Sequence, residues 1–116
     1  QYTVEEVASR IDHAVLKPDM TELDVRENAK MCLERGVASM CVRPCDVPLT
    51  AELLRDSPVM VSCVLSFPHG ADATPVKAFQ AKQAIKDGMT TLKQDGVHKV
   101  FEGITDMREV RRVCIE

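Results

Sequence analysis

Three short apolar runs, each closed by a proline and followed by helix-forming sequence, constrain this chain more than any other feature. They occupy residues 11–16, 37–42 ("VASMCV", before Arg43-Pro44) and 59–67 ("VMVSCVLSF", before Pro68). The third is nearly all apolar and β-branched, the pattern of a parallel strand covered on both faces. A βα unit recurring roughly every 20 to 30 residues requires right-handed crossovers and a parallel sheet.

The helices between the runs carry their own signals. Thr3 followed by Glu6 has capping-box spacing and predicts a short helix over 4–10. Thr21 caps a second helix whose apolar positions Val25, Ala29, Cys32 and Leu33 share a face, ended by Gly36. Pro48 opens a helix through Leu54, because its missing N–H costs nothing in a first turn. Thr74 and Pro75, as cap and first residue, start a helix that runs through Phe79, Ala81 and Ile85 to Lys86, with Gly88 beyond. After Met89 the rhythm fails: no fourth strand precedes a final amphipathic helix of Val100, Ile104, Met107, Val110 and Cys114, interrupted by Gly103.

With 116 residues, 45% hydrophobic and 28% charged, the chain suffices for one packed domain. A formal net charge of -3, with basic residues scattered apart from Arg108, Arg111 and Arg112, excludes an electrostatic footprint for nucleic acid. Nothing approaches the ~20 apolar residues of a membrane span, and "QYTVEEVASR" lacks the pattern of a signal peptide. A cytoplasmic protein with small-molecule partners is expected. The odd set Cys32, Cys41, Cys45, Cys63 and Cys114 reads as small buried hydrophobes in a reducing compartment.

In parallel α/β architectures reactive groups gather where strands end. Those ends offer Asp12, His13 and Lys17, then Cys41, Arg43 and Cys45, then Ser66, Phe67, His69 and Gly70. Asp12 is read either as a pocket acid or as a buried or capping acid, and Phe67 equally as pocket wall or plain core. Cys41 and Cys45 have no second pair with which to close a zinc site, so no metal is expected. Lys93 and Lys99 lie in polar sequence that provides neither the desolvation nor the neighbouring cation a neutral nucleophilic amine needs.

Four blocks, "IDHAVLKP", "ASMCVRPCDVP", "VLSFPHGA" and "VKAFQAKQAIKDG", together and in this order resemble deoxyribose-phosphate aldolase, closely over 8–88 and loosely over 89–116. The resemblance implies a parallel (β/α)8 TIM barrel of the α/β class, of which this chain is about the first half. It implies reversible cleavage of 2-deoxy-D-ribose 5-phosphate to acetaldehyde and D-glyceraldehyde 3-phosphate through a lysine Schiff base, with no metal or other cofactor, and it is compatible with a homodimer. It places Asp12, Leu16, Cys41 and Phe67 around the sugar, with His13 and Lys17 in supporting roles. A carboxylate acceptor beside apolar walls suits a deoxy sugar, which offers hydroxyls and one methylene face.

The departures are equally specific. Ala14 stands where members usually have threonine, and "TTLKQ" follows Met89 where members continue with an E-[IL]-D-M-V strand bearing the proton-relay aspartate. The K-T-S-T-G Schiff-base lysine, the second active-site lysine and the glycine-rich phosphate loops have no counterparts, so no catalytic residue is assigned. A barrel needs about 250 residues. Residues 1–116 are therefore expected to be a single partial barrel domain, with a segment missing near 89–92 and the second half beyond Glu116. The alternatives are an inactive truncated or engineered half-barrel that self-associates, or a non-catalytic sugar-phosphate-binding module.

Overall fold

The computed structural model describes residues 1–92, 94 and 106–113. Its first helix, α1 (Val4–Ala8), is closed by the expected capping box: Glu6 N–H donates to Thr3 Oγ1 at 3.1 Å and Thr3 N–H to Glu6 Oε2 at 3.3 Å. It ends two residues before the predicted limit, where Ser9 N–H reaches back to the Glu5 carbonyl. The same device starts α2 (Glu22–Arg35), with Thr21 N–H on Asp24 Oδ2 at 2.7 Å and Asp24 N–H on Thr21 Oγ1 at 3.3 Å. These bonds favour the ionised carboxylate and hold Asp24 below its ordinary pKa. Gly36, at φ 68°, closes α2 with its N–H on the Cys32 carbonyl, a left-handed position that glycine adopts without strain.

Three four-residue strands, β1 (Asp12–Val15), β2 (Ser39–Val42) and β3 (Met60–Cys63), form a parallel sheet in sequence order. Asp12 pairs with Ser39 and Ala14 with Cys41; Ser39 in turn pairs with Met60 and Cys41 with Ser62. Alternation along each strand then sends Val15, Met40, Val42 and Val61 to one face, where they are buried with Val25, Ala29 and Cys32 of α2. The 3-10 turn Pro44–Asp46, which the sequence did not announce, leads into α3 (Val47–Leu53), whose Val47 joins the same core. Asp12, Ala14, Cys41 and Ser62 lie on the other face and are exposed or half-buried. The third strand, expected over 59–67, is paired only over Met60–Cys63; on the second face Ser39 is buried, whereas the groups just named stay open among the described residues.

Two helix faces also differ from expectation. Leu33 is 43% exposed, since it lies about 100° around the helix from Cys32 and the sheet covers only the Val25–Ala29–Cys32 stripe. In α4 (Thr74–Lys86) Ala84 is buried, whereas Phe79 and Ile85 are exposed. Ala73 precedes this helix without a side-chain cap, so Thr74 is its first residue and not its cap. Gly88 follows at φ 114°, and a Cβ there would lie 2.6 Å from Ala51 Cβ. Thr90 then runs along the free edge of β3, its N–H on the Val61 carbonyl at 2.9 Å.

Helix α5 (Met107–Val113) has Val110 buried; the expected positions Val100, Gly103, Ile104 and Cys114 lie outside the described residues, as do Lys93 and Lys99. Of the cysteines, Cys32 is buried and Cys41 and Cys63 are half-buried, but Cys45 is exposed in the 3-10 turn, against its reading as a buried hydrophobe. No described helix is long and apolar enough to cross a membrane.

Candidate active site

The uncovered sheet face carries a compact polar cluster. Asp12 Oδ1 accepts from Ser39 Oγ at 2.5 Å and from Ser62 Oγ at 2.9 Å. Strands stand about 4.8 Å apart, so a direct bond from β3 to β1 requires side chains that converge over β2, as on the concave side of a curling sheet. Cys41 pairs with Ser62 across β2 and β3 on this same face, close enough to Asp12 to feel its charge. Burial pushes the Cys41 thiol up; the neighbouring Ser62 hydroxyl opposes the shift, and the Asp12 charge adds a smaller upward push. Burial likewise pushes Cys63 up to about 11.

At the C-terminal ends of the strands lies a separate hollow of about 520 Å3. Leu16, Pro18, Val64, Phe67 and Pro68 give it apolar walls, and Arg43, Asp72 and Gln80 stand among them. Phe67 is 56% exposed among the described residues. The polar groups of the rim are engaged with the backbone and with one another. Arg43 Nε donates to Asp46 Oδ2 at 2.7 Å, its Nη1 to the Pro18 carbonyl at 3.1 Å and its Nη2 to the Met20 carbonyl at 3.0 Å. The guanidinium therefore ties the loop after β1 to the turn after β2. Ser66, at φ 50°, donates its N–H to Gln80 Oε1 and its hydroxyl to Asp72 Oδ2, both at 2.8 Å, which anchors the loop bearing Phe67 to α4.

The four site residues expected from the sequence therefore fall into two layers. Leu16 and Phe67 line the strand-end hollow; Asp12 and Cys41 sit deeper, on the open sheet face, and are not in the hollow's lining. Asp12 is the first residue of β1 and not its tip, a correction to its placement at the strand end. His13 points the other way, its Nε2 2.9 Å from Asn28 Oδ1 on α2. Ser39 and Ser62 were missed as site residues, although both interrupt apolar strands at the period that faces away from the core. Two further hollows, about 470 and 310 Å3, flank α1 around Tyr2, Val7 and Ile11 and contain none of these groups. Among the described residues no cluster of three or more metal-ligating side chains occurs.

No family model matches the chain. Individual relatives do. Deoxyribose-phosphate aldolase 1 of Bacillus licheniformis is 46% identical over 83 residues, 72% of this chain and 37% of the relative. The deoxyribose-phosphate aldolase of Caldicellulosiruptor saccharolyticus is 35% identical, across 95% of this chain and 54% of its own length. Among solved structures, the deoxyribose phosphate aldolase of Aeropyrum pernix, described as tetrameric, superposes with a TM-score of 0.72 at 30% identity over 76% of this chain and 38% of that one. The chain belongs to the deoxyribose-phosphate aldolase family. It spans between 37% and 54% of the length of these curated relatives. Its parallel sheet and helices are accordingly part of the (β/α)8 barrel of the aldolase family, and the open face of the sheet corresponds to the inside of that barrel.

Proposed function

We propose that the protein carrying these residues is a deoxyribose-phosphate aldolase, cleaving 2-deoxy-D-ribose 5-phosphate to acetaldehyde and D-glyceraldehyde 3-phosphate through a Schiff base on a lysine outside residues 1–116. The supporting observation is the 46% identity through βα units whose inward face carries an acid, two hydroxyls and a thiol. In this reading Asp12 accepts a hydrogen bond from the bound sugar or from a catalytic ammonium. Leu16 and Phe67 wall the entrance and exclude water, and Cys41, neutral at pH 7, contributes a small polarisable surface. Residues 1–116 are a partial barrel domain, the enzyme is cytoplasmic and it assembles as a homodimer.

Borohydride trapping with acetaldehyde, followed by peptide mapping, tests the proposal. A reduced adduct on a lysine outside these residues supports it. An adduct on Lys93 or Lys99, or none from a chain carrying the remaining strands, refutes it.

The uncovered face with its cysteine and serines, and the strand edges of β1 and β3, favour one alternative for the 116-residue chain alone: self-association without turnover. Sedimentation of that chain distinguishes the readings, because a monomer at 12.9 kDa removes the alternative.

A further inference from the structure

We infer that Ser39 and Ser62 are positioning residues for Asp12, holding its carboxylate from two different strands so that the acid is presented to the barrel interior in one fixed orientation. Both hydroxyls converge on the same oxygen, Oδ1, at 2.5 and 2.9 Å. Two donors on one oxygen leave the carboxylate little rotational freedom, and Oδ2 accepts no hydrogen bond among the described residues. Neither serine belongs to the apolar core. Ser39 is buried without an apolar role, and Ser62 lies on the uncovered face, where an alanine would serve a sheet equally well. A hydroxyl beside a half-exposed carboxylate is also a poor source of stability, since water competes for both groups. Its gain is in geometry: an acid on a strand start, with two χ angles to settle, is aimed by its neighbours. Ala14 offers no hydroxyl on this face of β1, so β2 and β3 supply the donors.

The inference rests on the aldolase reading for the use of the aimed carboxylate, but its test requires no turnover, so each can fail while the other stands. Cys41 is the reporter. The groups that act on its thiol are Asp12 from β1 and the Ser62 hydroxyl from β3, and Cys63 on β3 is itself pushed up by Cys41. Alkylation of Cys41 is followed against pH by peptide-resolved mass spectrometry, with circular dichroism as the folding control. Asp12→Asn lowers the midpoint of the profile, because a negative charge that opposes thiolate formation is gone. Ser39→Ala lowers it in part, by letting the carboxylate swing away, and Ser39→Thr restores it. In the Asp12→Asn background Ser39→Ala has no further effect, and the effect of Ser62→Ala differs between the two backgrounds. A Ser39→Ala profile that stays at wild type, a shift that persists without the Asp12 charge, or an unmoved Asp12→Asn profile overturns the inference. Should Ser39→Ala fail to fold, the Ser62→Ala protein, in which Ser39 is the one serine left on Oδ1, gives an independent reading: exchange into D2O shifts the Asp12 carboxyl carbon resonance if the Ser39 bond exists, and leaves it unmoved if it does not.

Discussion

Thr90 and Val61 exchange two hydrogen bonds at the free edge of β3: Thr90 N–H on the Val61 carbonyl at 2.9 Å, and Val61 N–H on Thr90 Oγ1 at 3.1 Å. A side chain thus stands in where the next strand's backbone carbonyl would serve. Thr90→Val keeps the shape and removes the acceptor, leaving a partly buried N–H without its partner. The expected loss is about 1–3 kcal/mol in urea unfolding. Thr90→Ser, which retains the hydroxyl, should lose much less.

Gly88 gives a sharper result. Alanine there meets both a φ of 114° and a contact of 2.6 Å with Ala51 Cβ. The left-handed backbone alone costs roughly 1–2 kcal/mol. Gly88→Ala should therefore lower the thermal midpoint strongly, and Ala51→Gly in the same chain should return only the steric part. Full recovery by Ala51→Gly would show that the backbone angle carries no cost.

Arg43 should prove irreplaceable by lysine, because its fork reaches Asp46 and the carbonyls of Pro18 and Met20 at once. Arg43→Lys and Arg43→Ala are both expected to speed amide exchange in the 17–20 loop roughly tenfold, while the amides of β2 keep their protection. Exchange that rises equally across the sheet would mean that the residue supports the core and not the loop.

The thiols predict a pH window. Cys63 keeps its proton in the fold to about 11, against an ordinary value of 9.0, so the folded state binds more protons than the unfolded one across that interval. Stability from this group is intact below pH 9, declines as pH rises, and is lost above about 11. Cys63→Ser should flatten the alkaline limb of a stability–pH curve. Among the four described cysteines, alkylation at neutral pH should label exposed Cys45 first and buried Cys32 last.

What could be read in advance follows the range of the forces involved. The capping box at Thr3 and Glu6 and the stop at Gly36 were legible because their hydrogen bonds close within a few residues. The three strands were legible as apolar runs, but not their lengths: Val64–Phe67 is as apolar as Met60–Cys63, and only the neighbouring strand decides where pairing stops. Leu33 and Phe79 were misplaced for a related reason, since the width of a buried stripe depends on what covers it. Ser39 and Ser62 were visible as polar interruptions, yet their meeting at Asp12 depends on register across three strands, which no local pattern encodes. The separation of Leu16 and Phe67 from Asp12 and Cys41 is likewise a matter of depth along the barrel axis, and a linear string has no such axis.

The bond from Ser62 to Asp12 carries a consequence for alignment. If β3 slid by one residue against β2, the hydroxyl would turn toward the aliphatic interior and Cys63 would come round to face the acid. Such a mispaired form would lose a favourable contact and bury an unsatisfied polar group in the same movement. The chemistry of this face therefore also acts as a checksum on assembly, in which only the correctly threaded sheet can put all of its oxygens to use.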